Sequence, residues 1–347
     1  MNESKNLYWI NAIKGICMIA VFYVHCMLLC GPRIEFASAE IHAFYVNGFF
    51  FISGYLLFWK QLTPPRINES LRMYVGQTGG GKILFDNICF RIIIPSIIFA
   101  TLFYFPAKFV KHEEMTVIDF LLEPIGGRTF WFTSALVVAE VVVLFLLLTR
   151  IRSIWFYVFC FIPIVVLGFF YAVQSPETYA LDIWAWRRGV LSLIFLGFGG
   201  LYWKFEAWID KYVLNWWSVA LLFIVMELLI WYIGDEDSML VSMLTITPLG
   251  IIPALISVLL LIKFCKILPY SKILSFIGQN SIGFFFLCSG VPLLLSVVLH
   301  RYIEGEPIWG LFVSVIISLV FSYGVVLVLN RWFPWVFDIR RIKKHKS

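Results

Sequence analysis

Apolar residues run along this chain in long blocks at approximately 8–30, 43–59, 85–105, 130–149, 154–173, 188–203, 214–233, 241–262, 273–299 and 308–330. Crossing a hydrocarbon layer of ~30 Å takes about 20 helical residues, so each block reads as a membrane span. The pattern predicts an all-α integral membrane protein, a bundle of about ten transmembrane helices. The sixth block is short and carries Gly197, Gly199 and Gly200.

Composition agrees with the blocks. Of 347 residues 61% are hydrophobic and only 14% charged, with a mean hydropathy of +0.90, a balance that a soluble domain of this length does not carry on its surface. The net charge of +6 therefore reports topology first, and nucleic-acid binding is set aside. With both termini inside, the loops and ends facing the cytoplasm hold 18 Lys and Arg against 7 on the other side, which is the inside excess expected of a polytopic protein. The chain reads as one transmembrane domain over 1–347, with a basic cytoplasmic tail at about 331–347. The first block is too long for a cleaved signal and has no small-residue cleavage site, so it is expected to stay as the first helix.

Charged or titratable residues inside the blocks are the candidates for chemistry, because lipid makes them costly unless they are used. Lys14 and His25 share the first block, eleven residues apart. At about 100° per residue that spacing returns to within roughly 20° of one helix face, and it separates the two groups by on the order of 16 Å along the axis. Glu140 and Glu227 lie too deep in their blocks for a short side chain to reach the membrane surface, so each needs a partner, water or a proton. Arg91 lies in the third block. There are bland readings too: Lys14 and Arg91 can snorkel to the interface, and a histidine near a helix end can be an interfacial hydrogen-bonding residue.

The five histidines show no ligand spacing, and no metal site is expected. The seven cysteines fall in or beside apolar blocks, which speaks against structural disulfides. Gly76 to Lys82 matches the phosphate-loop spacing, but Ile83 stands where Ser or Thr would hold magnesium and no α/β domain surrounds it. No internal repeat is evident.

Lys14-Gly15-Ile16 with His25, Phe49-Phe50-Phe51-Ile52-Ser53-Gly54-Tyr55, Arg91 with Pro95, Phe130-Trp131-Phe132 with Glu140, and Ile277-Gly278 with Asn280-Ser281 occur in that order. Together they resemble the motifs of the ten-helix membrane acyltransferases of family three, closest to the branch of fucose O-acetylase-like and exopolysaccharide acyltransferases. The chain departs from that pattern at Asn11, Tyr45, Asn47 and Cys288, and Ile88 stands where a second arginine is common.

The resemblance implies a bacterial inner-membrane enzyme that moves an acetyl group from cytoplasmic acetyl-CoA, a co-substrate with no permanently bound cofactor, to a hydroxyl of an envelope polysaccharide or a lipid-linked glycan. It implies catalytic roles for His25 and Glu140 and donor binding by Lys14 and Arg91. Asn47, Ser53, Tyr55, Trp131, Asn280 and Ser281 are expected pocket residues, with helix packing as their plainer role. The residues support the same chemistry directly: a thioester needs only a positioned hydroxyl, a base and oxyanion donors, and a neutral imidazole is a suitable base. The competing reading is a transporter or flippase that uses Lys14, Glu140 and Glu227 as substrate or ion sites.

Overall fold

The computed structural model describes residues 8–30, 38–62, 80–111, 114–149, 151, 153–174, 183–234, 248–299 and 307–340. Within them every regular element is helical, as expected of apolar chain in lipid, where only a closed backbone ladder satisfies each N–H and C=O. In chain order these are α1 (Tyr8–Cys30), α2 (Ser38–Leu62), α3 (Gly80–Asn87), α4 (Ile94–Lys111), the single turn α5 (Val117–Phe120), α6 (Trp131–Leu147), α7 (Ile154–Gln174) and α8 (Trp186–Trp208). They continue as α9 (Trp216–Ile233), α10 (Ile251–Ile267), α11 (Lys272–Gln279), α12 (Ser281–Leu287), α13 (Gly290–Leu299) and α14 (Pro307–Trp332).

Six helical stretches among the described residues are long and apolar enough to cross a membrane, and α11 with its bent continuation makes a seventh. The apolar blocks predict ten. The shortfall has local causes. Helix α6 has 17 residues and gives way to a turn at Thr149, whose hydroxyl bonds the Leu146 carbonyl at 2.7 Å. The described apolar part of α7 stops at Phe170. Helix α10 also has 17 residues and carries Lys263 and Lys266; the first part of its block, 241–247, lies outside the described residues, as do the loop carrying Gly76 to Gly79 and the end of the basic tail.

The glycine-rich sixth block shows the opposite difference, since the apolar helical stretch spans Ile183 to Val213, with α8 as its 23-residue core, left-handed backbone at Trp184 and Ala185 before it, a kink at Phe205 and a π-helical turn at Ile209–Val213 after it. Its glycines are contact points. A Cβ on Gly199 would run into the Phe51 carbonyl of α2, and one on Gly54 of α2 would run into the Leu196 carbonyl of α8. Hydrogen at both positions lets two backbones meet, the usual route to tight helix association in lipid. Around this seam sit the fully buried Phe50, Phe51, Phe58, Phe195 and Tyr202. Helix α9 lies at the periphery, with Trp217 89% and Trp231 82% exposed, as suits side chains that face lipid.

Two interruptions shape the interior. Between α3 and α4, Ile88–Ile93 forms a π-helical turn in which Ile94 N–H bonds the Cys89 carbonyl, five residues back. Pro95 explains the slip: it has no N–H to offer Arg91 four residues earlier, so the ladder widens there. The second interruption is at Asn280, where α11 and the following helix bend by 75°. The Asn280 amide closes that break itself. Its Nδ2 donates to the Phe276 carbonyl at 2.9 Å, and its Oδ1 accepts from Asn330 Nδ2 of α14 at 2.8 Å. Glycines again bring the backbones together: Gly278 abuts the Asn11 carbonyl of α1, and a Cβ on Gly15 would lie 2.7 Å from the Leu274 carbonyl.

Candidate active site

A cavity of about 480 Å³ opens between α1, α2, the α3–α4 segment, α6 and α12. Lys14 reaches it from α1, Lys60 from the end of α2, Arg91 from the π-helical turn and Glu140 from α6. Lys14 and Glu140 are half-buried, whereas Lys60 and Arg91 are exposed at its mouth. The rest of the wall is mainly apolar, with Met18, Phe49, Ile52, Phe132, Leu136 and Phe285.

Helix direction orders the cavity from end to end. Lys60 follows Phe49 by eleven residues on α2, and Glu140 follows Phe132 by eight on α6, so the phenylalanines stand at the end remote from Lys60. There the Phe132 ring packs against Phe49 at 5.5 Å and Phe285 at 5.1 Å. Helix α1 runs from Lys14 toward that end. His25 is outside the lining, seven residues past Met18, which is two turns and about 10 Å farther along the same face. It is half-buried.

Glu140 feels the charges of Arg91 and Lys60, and Arg91 and Lys60 also act on Lys14. Among the described residues, ion pairs at contact distance include Lys108–Glu123, Lys266–Glu206, Lys266–Asp210 and Arg340–Asp338, none of them in the lining of this cavity. Glu140 shares the cavity with Lys14, Lys60 and Arg91.

Of the pocket residues expected from the sequence, Ser53 and Ser281 line the cavity. The others lie elsewhere. Asn47 is fully buried and donates to the Ala43 carbonyl of its own helix at 2.8 Å. Trp131 turns its ring to the Arg188 guanidinium, 4.8 Å away. Tyr55 points to α8, where its hydroxyl donates to Glu206 at 2.7 Å. Asn280 lines a smaller polar pocket of about 120 Å³ with Arg91, Gln279, Asn330 and Asp338, so Arg91 borders both spaces. Glu227 lies far from this group on α9, with Glu40 as its electrostatic neighbour.

Lys60 was missed by sequence reading because a lysine at the end of a span looks like a topology charge. Thr133, Gln61 and Asn87 also line the cavity without any motif signal. Ser96 Oγ bonds Thr133 Oγ1 at 3.1 Å, tying α4 to the cavity wall on α6. The described residues contain no group of three or more His, Cys, Asp or Glu placed to hold a metal.

Neither the comparison with curated proteins nor that with solved structures gives a match. The family model Acyl_transf_3, described as an acyltransferase domain, matches residues 7–331. With several spanning helices and motifs in family order over nearly its whole length, the chain belongs to acyltransferase family 3 and is a multi-pass membrane protein of that family.

Proposed function

We propose that this protein is an O-acetyltransferase of the bacterial inner membrane, using cytoplasmic acetyl-CoA to acetylate a hydroxyl of an envelope polysaccharide or its lipid-linked precursor. The observation that carries the reading is the cavity. Cations gather at the end where the basic loops lie, an apolar wall follows, and His25 stands farther along the same helix face. A phosphate-bearing donor enters from the basic side; its uncharged thioester arm extends along the apolar wall, and the acceptor comes from the other side. This reading takes the chain as ten spans with both termini cytoplasmic, the shorter helices α6, α7 and α10 crossing where the protein itself covers them.

In the reaction the acceptor hydroxyl attacks the thioester carbonyl while His25 takes its proton; the C–S bond then breaks, acetyl is left on the acceptor oxygen, and CoA leaves as a thiolate that takes up a proton. Catalysis by such a positioned base contributes about 10²–10⁴-fold. Lys14 and Arg91 hold the donor. Glu140, facing Arg91 and Lys60, keeps the mouth cations oriented toward the cavity and is a positioning residue in this scheme.

The bend at Asn280 is a feature that a transporter would share. Its break is closed by Asn330 and the Phe276 carbonyl rather than left open as a coordination site, which favours the enzyme. Surface glycans compared between cells with the protein, without it, and with His25→Ala test the proposal. Acetyl esters should disappear in the last two, and esters persisting without the protein would overturn it.

A further inference from the structure

Among the described residues, three cations from three separate segments share the cavity with a single carboxylate. Lys14, Lys60 and Arg91 line it together with Glu140, leaving two positive charges that this carboxyl does not balance. Asp338, next to Arg91 in the smaller pocket, is already paired to Arg340 at 2.6 Å. Like charges brought together in a membrane protein repel and are costly to dehydrate, so such an excess is a mark of anion binding.

The shape narrows the anion. A void of about 480 Å³ matches a drug-sized ligand or the arm of a larger one. Its remote wall is aromatic and apolar, while Lys60 and Arg91 are exposed at the mouth. A simple carboxylate or a phosphodiester lipid headgroup brings one negative charge and would leave the excess partly unbalanced. A nucleotide thioester brings a pyrophosphate and a further phosphate on one end and an uncharged arm on the other.

We propose that Lys60 is a third donor-recognition residue, which with Lys14 and Arg91 contacts the phosphates of acyl-CoA at the cavity mouth and makes the protein select phosphate-bearing thioesters over uncharged ones. The inference rests on the donor reading above. Lys60 is exposed near the end of α2, and its positive charge bears on both Arg91 and Glu140, so it is placed to attract phosphate before Lys14, deeper in, is reached.

The test is equilibrium binding of CoA and of pantetheine, which lacks phosphate, to the purified full chain in lipid nanodiscs. Losing one charge-assisted contact should weaken CoA binding by about tenfold in Lys60→Gln. Lys60→Arg should restore most of that loss, and the affinity ratio of CoA to pantetheine should fall by the same factor as CoA binding. Unchanged CoA affinity in Lys60→Gln would overturn the assignment, as would equal losses for CoA and pantetheine, because both would mean that the lysine does not read phosphate. A wild-type chain that binds no CoA would instead remove the donor reading itself.

Discussion

Lys266 of α10 lies 2.7 Å from Glu206 of α8, and the same ammonium also meets Asp210 at 2.5 Å. Tyr55 and Tyr202 complete the cluster by donating to Glu206 and Asp210 at 2.7 and 2.6 Å, and the Trp9 ring lies 4.9 Å from the ammonium. One lysine thus ties α1, α2, α8 and α10 together at the end of the bundle away from His25. Lys266→Ala would leave two carboxylates facing each other. After allowance for their partial exposure the cost is about 1–3 kcal/mol. Thermal unfolding in detergent should show a lower midpoint for Lys266→Ala, partly recovered when Glu206→Gln is added. An unchanged midpoint would mean that the cluster holds nothing together.

The glycine seam between α2 and α8 makes a sharper structural prediction. Gly54→Val places side-chain atoms where the Leu196 carbonyl lies, and overpacking against backbone costs about 3 kcal/mol or more. Folded protein recovered after solubilisation should fall steeply. Gly324→Ala is the control, because nothing lies within 4 Å of its added Cβ and a helical alanine gains about 0.5–1 kcal/mol over glycine. Equal behaviour of the two variants would refute the close approach.

At the bend, Asn280 and Asn330 form one unit. Asn280→Ala removes both the interhelical bond and the cap on Phe276, for about 1–3 kcal/mol. Asn330→Ala removes only the first. The double variant should cost less than the sum of the singles, since the two side chains share a bond; strict additivity would count against the pairing.

The chemistry is tested at His25. His25→Ala is expected to reduce acetyl transfer by at least about a hundredfold, the low end for a lost general base, while expression and thermal stability stay close to wild type. Acetylation surviving at normal levels in that variant would dismiss His25 as the base.

Orientation follows from the 18 to 7 asymmetry of loop cations. A cysteine placed at exposed Glu114 or Met115 should react with an impermeant thiol reagent added outside intact cells, whereas one at exposed Lys82 should react only after the membrane is opened. The reverse pattern would put the cavity mouth outside and replace cytoplasmic acetyl-CoA with a donor from the other side.

Hydropathy determined the helical class, because apolar chain in lipid must satisfy its backbone within each segment and that requirement is local. Helical periodicity likewise put Lys14 and His25 on one face, and the structure has Lys14 lining the cavity. Pro95 after Arg91 forecast nothing by itself, yet it accounts for the π-helical turn from which Arg91 reaches two pockets. What periodicity could not supply is which faces of different helices meet. Glycine contacts between backbones and the closed break at Asn280 decide that, and both are relations between residues far apart in the chain. Tertiary packing therefore admitted Lys60, which had read as a topology charge, and turned Tyr55 into the Glu206 cluster. It also left Glu227 on a peripheral helix and made the glycine-rich sixth block a 23-residue helix, Trp186–Trp208, because glycine weakens a helix in isolation but lets it approach a neighbour once that neighbour is present.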